Sequence, residues 1–248
     1  DLPTSLRDVP GIQADPVVGS GLGLSLQGLG SDRVLVLLDG SPLTGRLDGQ
    51  FDLTRVNPAL LSRVEVVDGP QSTLYGSDAL GGVVNLITRR DFGRRMELST
   101  QGGSNGQFDQ RGRMSGGSGL VFGSLDFGHR DADIVPGGLA HDGGRAERWD
   151  GMARVTAPML GGSADVRLFG VNETQRYQLQ GMSGPETDSD VNKQLDGLAT
   201  LTVGPHGNTD IRIHGSNYDH TFSASTGSAA DADRESVGDV EVLQRGTL

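Results

Sequence analysis

The sequence predicts an α+β region over residues 1–92 followed by antiparallel β-strands over residues 93–248. Three observations predict it. Glycine is heavily used, 40 of 248 residues, without a G-X-Y period, which calls for many tight turns between short elements. The first region carries continuous apolar runs stopped by Asp-Gly. The second alternates apolar and polar residues with period two, the mark of strands with one face of each kind.

Taken in order, SLRDVPGI (5–12) predicts a short helix capped by Thr4 or Ser5 and ended near Pro10-Gly11. RVLVLLDG (33–40) predicts a buried strand ending in a turn. NPALLSRVEVVDG (57–69) predicts a helical turn leading into a strand at Val64–Val67, and VVNLITRR (83–90) another strand. Leu24–Leu26 is expected as a fourth strand of the same small sheet. Arg63 and Glu65 share one face of their strand and are expected to pair across strands.

Beyond residue 93 the alternation recurs. Met96, Leu98 and Thr100 oppose Glu97, Ser99 and Gln101; Val166 and Leu168 oppose Asp165 and Arg167; Ile211 and Ile213 oppose Arg212 and His214. About eight such strands of about 8–11 residues are expected, the length a tilted strand needs to cross a bilayer. A short gap at Pro205–Asn208 predicts a tight turn, and longer gaps at Arg130–Arg148, Gln180–Asn192 and Ala224–Ser236 predict loops. Short turns at one end and long loops at the other is how outer-membrane barrels are built. On pattern alone a soluble antiparallel sandwich or a solenoid stays open.

Composition excludes several classes. The formal net charge is −11 and Lys193 is the only lysine, so the clustered cations of a nucleic-acid surface are missing. There is no cysteine, hence no disulfide, thiolate metal site or thiol nucleophile. Asp1-Leu2-Pro3-Thr4 lacks the pattern of a signal peptide, and no run of about 18 apolar residues marks a transmembrane helix.

Motifs that suggest chemistry fail on context. GSGLGLSLQGLG (19–30) lacks both the G-x-G-x-x-G spacing and the preceding strand of a dinucleotide loop. Gly102–Gly106 matches G-x-S-x-G, but a polar glycine-broken segment follows, which predicts a hairpin turn instead of a nucleophile elbow. The five histidines are scattered and expected at loops or strand ends. Three D-x-D pairs, Asp131/Asp133, Asp188/Asp190 and Asp231/Asp233, fall in expected long loops. Asp188, Asp190, Asp231 and Asp233 are the candidate calcium ligands, since carboxylates two apart can chelate Ca²⁺ with loop carbonyls. The EF-hand pattern is not met, because Lys193 stands where glycine is needed. No catalytic constellation emerges, so no enzyme is expected.

One long ordered stretch carries a resemblance. SDRVLVLLDGSPL (31–43), then FDLTRVNPALLSRVEVVDGPQSTLYGSDALGGVVNLITRR (51–90), resembles the plug domain of the TonB-dependent outer-membrane receptors, whose pattern joins a V-L-(V/I)-D-G strand, an I-x-R-(I/V)-E-V strand and G-P-x-S-x-L-Y-G-x-x-A-x-G-G-V-(I/V)-N-(I/L)-I-T ahead of a barrel. The resemblance implies residues 1–92 as plug and residues 93–248 as the first part of a barrel of about 22 strands, the whole chain being a fragment with its TonB box upstream of Asp1. It implies a Gram-negative outer-membrane location, contact with outer-membrane lipid and coupling to the inner-membrane TonB complex. The expected cargo is a scarce nutrient: ferric siderophore, cobalamin, haem or glycan. By position in the family, Ser41–Asp52 is the plug apex loop, with Thr44, Arg46, Asp48 and Gln50 as expected ligand contacts. Two departures stand out: Gln27 and Asp68 occupy positions where the family carries arginines that latch plug to barrel. The alternatives are a receptor-like outer-membrane protein for adhesion or signalling without transport, and a soluble β-rich enzyme.

Overall fold

The computed structural model describes residues 2, 6, 11–16, 21–47, 49–71, 77–134, 143–181, 184–203, 209–224 and 231–244. The chain divides into two compact units, Asp1–Arg90 and Asp91–Leu248.

The first unit contains β1 (Ile12–Pro16), β2 (Leu22–Leu26), β3 (Val34–Leu38), β4 (Ser41–Pro42), β5 (Arg46–Leu47), β6 (Gln50–Phe51), β7 (Leu61–Asp68) and β8 (Gly82–Thr88). Its main sheet has the order β4-β3-β8-β7, with β3 and β8 parallel and the outer pairs antiparallel. All five residues of β3 are buried, which explains its unbroken VLVLL: a strand covered on both faces has no use for alternation. Leu35 and Leu37 pack with Ala79 and Val83 in the core.

Two motif fragments that lie far apart in sequence are wired together here. Asp39 (φ 51) and Gly40 (φ 83) make the two-residue turn that returns β3 into β4, a geometry in which both central residues need positive φ. Leu86 accepts the Asp39 N–H at 2.9 Å. The Asp39 carboxylate accepts from the Thr88 N–H at 2.9 Å and the Thr88 hydroxyl at 2.6 Å, and Asn85 Oδ1 accepts from the Gly40 N–H at 2.9 Å. The D-G of the first motif and the N and T of VVNLIT are thus one clamp. Asp39→Ala removes the acceptor of two of these bonds. It should cost about 2–3 kcal/mol and speed amide exchange at Thr88, measurable by hydrogen exchange in the full-length protein.

Gly82 is the other constrained position. Its φ is +143, and a Cβ there would lie 2.5 Å from the Val67 carbonyl oxygen and 2.7 Å from Leu26 Cδ1, so the turn into β8 requires glycine.

The expected helical turn is a 3-10 turn, Pro58–Leu60, capped by Asn57 Oδ1, which accepts from the Ala59 N–H at 2.9 Å. A second 3-10 turn, Leu53–Arg55, is capped by Asp52 through the Thr54 N–H. The expectation for Leu24–Leu26 is corrected: this segment pairs with β1 in a separate hairpin, and the fourth strand of the main sheet is the two-residue β4. The polar IQADP of β1 gave no sign of a strand, yet supplies the partner nearest in sequence. The helix expected over 5–12 falls mainly outside the described residues, and at its end Ile12 opens β1.

The second unit is one antiparallel sheet of eight strands in sequential order: β9 (Arg95–Gly102), β10 (Phe108–Ser118), β11 (Val121–Ile134), β12 (Gly143–Met159), β13 (Gly162–Gly181), β14 (Gly184–Val203), β15 (Thr209–Ser223) and β16 (Asp231–Gln244). The hairpin expected at Gly102–Gly106 is present, with Asn105 (φ 57) and Gly106 (φ 62) in its turn and the Gly103 N–H bonded to the Gln107 carbonyl. At the opposite end, Leu160 (φ 52) and Gly161 (φ 76) form the two-residue turn between β12 and β13.

The strands are longer than expected. β13 and β14 have 20 residues each, and most of the loop expected at Gln180–Asn192 is paired strand, Gly181 standing opposite Gly184. Parts of the loops expected at Arg130–Arg148 and Ala224–Ser236 are likewise strand, while residues 135–142 and 225–230, and the turn expected at 205–208, lie outside the described residues.

Candidate functional site

The eight-stranded sheet has two faces, and the distribution of polarity over them is the reverse of a soluble protein's. One face presents Met96, Leu98, Leu125, Val155, Val166, Leu168, Leu195, Ile213, Val240 and Val242, all exposed, Leu98 at 82% and Val240 at 70%. These residues sit opposite one another along the register: Val155 pairs with Val166, Val166 with Ala199, Ala199 with Ile213 and Ile213 with Val240. The result is a continuous exposed apolar band far beyond the scattered apolar residues of an ordinary surface.

The other face is charged and buried. Arg113 makes a two-oxygen contact with Asp126, Nε to Oδ1 and Oδ2 at 2.8 and 3.0 Å. Arg111 Nη2 donates to Asp150 at 2.6 Å. Arg154 holds Asp165 through Nη2 and Nε at 2.6 and 2.9 Å, and Thr156 Oγ1 donates to the same carboxylate at 2.7 Å. Arg167 donates to Asp196, whose other oxygen lies 2.9 Å from His214 Nε2; His214 Nδ1 lies 2.8 Å from Asp239. The Arg167, Asp196 and His214 side chains have no solvent exposure. Arg113, Arg154, Arg167 and His214 meet carboxylates on adjacent strands and Arg111 reaches across β11 to Asp150 on β12, so the ladder ties strand to strand where an unpaired charge would be costly.

The apolar band is bounded. Along β12 the same face passes from Val155 and Ala153 to Trp149, then Glu147 and Arg145; along β13 from Leu168 to Asn172, Thr174 and Arg176. Trp149 stacks on His129 at 3.9 Å between ring centroids, tilts against Phe127 at 5.4 Å and donates through Nε1 to Glu147 at 3.0 Å. Such an aromatic with an apolar body and a polar tip suits a boundary between two media. Past the boundary, Arg145 Nε donates to Asp131 at 2.8 Å and holds that carboxyl below the ordinary carboxylate range.

In the first unit the loop after β4 is pinned from inside. Arg55 is buried, lies 4.5 Å over the Phe51 ring and donates to the Gly45 carbonyl and, at 3.3 Å, to the Asp52 carbonyl. Asp52 also accepts from the Leu22 N–H at 3.1 Å, and a Cβ on Gly21 would strike the Asp52 carboxylate. Of the four expected ligand contacts, Thr44 is buried, Arg46 is half-buried and engaged with the Val34 carbonyl at 3.4 Å and Asp78 at 3.1 Å, Gln50 lies half-buried in β6, and Asp48 is outside the described residues. Arg55 was not singled out by sequence; the Phe51-to-Arg55 spacing across a capped turn was the available signal. Arg63 pairs with its face neighbour Glu65 at 2.8 Å, and Glu65 also accepts across the sheet from Asn85 Nδ2 at 3.2 Å.

The acidic pairs lie on strands, which corrects their expected loop placement. Asp131 and Asp133 belong to β11, Asp188 and Asp190 to β14, Asp231 and Asp233 to the start of β16. Asp190 is 3.2 Å from His220 Nε2 and Asp233 is 3.9 Å from His220 Nδ1, so the imidazole stands between the two carboxylates. The Asp231 side chain lies outside the described set. Among the described residues no group of three or more His, Asp or Glu is placed to hold a metal ion. Histidines are corrected too: His129, His214 and His220 sit within strands, and His141 and His206 lie outside the described residues.

A family model described as the TonB-dependent receptor plug domain matches residues 1–83. Among solved structures, the FrpB iron transporter from Neisseria meningitidis matches with a TM-score of 0.67 and 16% identity over 98% of this chain and 42% of its own. The ferric enterobactin receptor PfeA from Pseudomonas aeruginosa, in complex with enterobactin, matches with a TM-score of 0.66 and 16% identity over 98% of this chain and 43% of its own. The siderophore receptor PiuA from Acinetobacter baumannii gives 0.64 and 14% over 90% and 34%. The chain spans less than half the length of these structures. These structures are named as receptors and transporters. Residues 1–83 are a TonB-dependent receptor plug domain, and the strands that follow have the barrel fold of TonB-dependent receptors.

Proposed function

We propose that this chain is part of an outer-membrane receptor that binds a scarce small-molecule nutrient, such as a ferric siderophore or cobalamin, and admits it to the periplasm with energy from the inner-membrane TonB complex. The observation that carries the reading is the inverted sheet joined to a plug domain. An exposed apolar band backed by buried ion pairs is unstable in water and stable where one face meets lipid and the other lines a barrel. Iron and siderophores are what the matched FrpB, PfeA and PiuA proteins are named for, which supports a chelated-metal cargo. Of the apex-loop candidates, Arg46 and Gln50 are half-buried and keep some surface for a cargo, while Thr44 is buried.

The test is complementation of a receptor-deficient Gram-negative strain with the full-length gene, supplying ferric siderophores and cobalamin one at a time. Growth on one cargo, abolished when the TonB complex is removed, is the expected result. Correct outer-membrane insertion with no cargo taken up would favour the adhesion or signalling alternative. The same assay tests whether transport runs with Gln27 and Asp68 at the latch positions. Gln27 occupies a turn at φ 50 with its N–H on the Gly11 carbonyl, and Asp68 ends β7 opposite Gly82.

A further inference from the structure

We propose that Lys193 and Arg234, on the apolar side of the eight-stranded sheet, form a seat for the phosphate of an anionic membrane lipid. The proposal rests on the reading that this face meets lipid. On three neighbouring strands the apolar positions give way toward charge: Leu195 is followed by Lys193 on β14, Gly215 by Asn217 and Asp219 on β15, Gly238 by Ser236 and Arg234 on β16. Lys193, Asp219 and Arg234 are successive cross-strand partners, so the change falls at one register level. That level also carries Trp149 and His129, through the pairings of Asn172 with Trp149 and with Lys193.

Lys193, Asp219 and Arg234, with Val191, His220, Thr221, Ala232 and Asp233, line a hollow of about 450 Å³, and the Asp233 carboxylate lies 3.9 Å from His220 Nδ1. Arg234 Nε donates to Asp219, which orients the guanidinium. Lys193, the only lysine of the chain, is exposed, and among the described residues no carboxylate lies within ion-pair distance of its ammonium. In the cross-strand row the two cations outnumber Asp219 by one, and Asp233 at the edge of the hollow has His220 as its neighbour, so the donors left for a phosphate are the Lys193 ammonium and the Arg234 N–H groups beyond Nε. A lipid is favoured over a soluble phosphate because the exposed Leu195, Ile213 and Val240 continue from the hollow along the same face, where acyl chains would lie.

The full-length receptor, extracted in a nonionic detergent, would be incubated with phosphatidylglycerol or phosphatidylcholine and its bound lipid read by native mass spectrometry. The proteins compared are the parent and K193Q/R234Q. The parent should retain phosphatidylglycerol in preference, and the double variant should lose that preference by about tenfold, as expected for removal of two charge-assisted contacts. Equal retention by both proteins overturns the proposal. So does complete displacement of the lipid by millimolar inorganic phosphate, which would mark a free-phosphate site. In parallel, both proteins would be reconstituted with brominated acyl chains and the Trp149 signal, taken as the difference from Trp149→Phe, followed for quenching. Quenching in both with unchanged lipid retention sinks the phosphate seat alone; no quenching sinks the lipid-facing reading beneath it.

Discussion

Asp196→Ala should destabilise the strand sheet by about 3–5 kcal/mol, the cost of leaving buried charge without its partner. Asp196 takes the Arg167 guanidinium on one oxygen and His214 Nε2, at 2.9 Å, on the other. All three side chains are fully buried, so water cannot replace the lost carboxylate. The variant should appear as loss of the compact, heat-modifiable band on an unheated gel and as a lower urea midpoint after refolding into vesicles. The double replacement Arg167→Met with Asp196→Leu should recover part of the loss, because it removes the buried Arg167 charge together with its carboxylate while His214 Nε2 stays without its acceptor. A double variant as unstable as Asp196→Ala would mean that the pair does more than satisfy itself.

Val166→Arg is expected to cost about 2–4 kcal/mol, while Thr174→Arg on the same face of the same strand should cost at most about 1 kcal/mol. Val166 lies within the exposed apolar band between Val155 and Ala199; Thr174 lies past Trp149, between Glu147 and Val191. The two positions share a strand and a face and differ in the medium that the reading assigns to them. In a sheet surrounded by water, arginine at an exposed valine would cost little at either place. Folding yield into vesicles of defined thickness reads the difference directly.

The elements that carry a local signal were legible in the sequence. VLVLL, the Asp-Gly stops at Gly40 (φ 83) and Gly69 (φ 87), and the alternation of Val166 and Leu168 with Asp165 and Arg167 each follow from rules that act over a few residues. What the alternation could not give is which face is outside, since period two is the same for a sandwich and for a barrel. That needed the cross-strand partners: Arg113 with Asp126, Arg154 with Asp165, Arg167 with Asp196. The first half of β14 read as loop because both of its faces are polar, and a strand without an apolar face loses its signature. The apex-loop candidates were chosen by position in a family, and position alone did not show that Thr44 is buried or that Arg46 is engaged with Asp78. The clamp of Asp39 by Thr88 and of Gly40 by Asn85 spans 49 and 45 residues, beyond the reach of any local rule.

The central claim is that the exposed apolar band faces lipid. These 248 residues contain no cysteine, so single spin labels at Val166, Leu168, Thr174 and Arg176 report on known sites. With the full-length receptor in vesicles, collision with oxygen, which concentrates in the bilayer, would be compared with collision with a water-soluble nickel chelate. Oxygen should dominate at 166 and 168 and the nickel chelate at 174 and 176. Free access of the nickel chelate to 166 and 168 would contradict the claim.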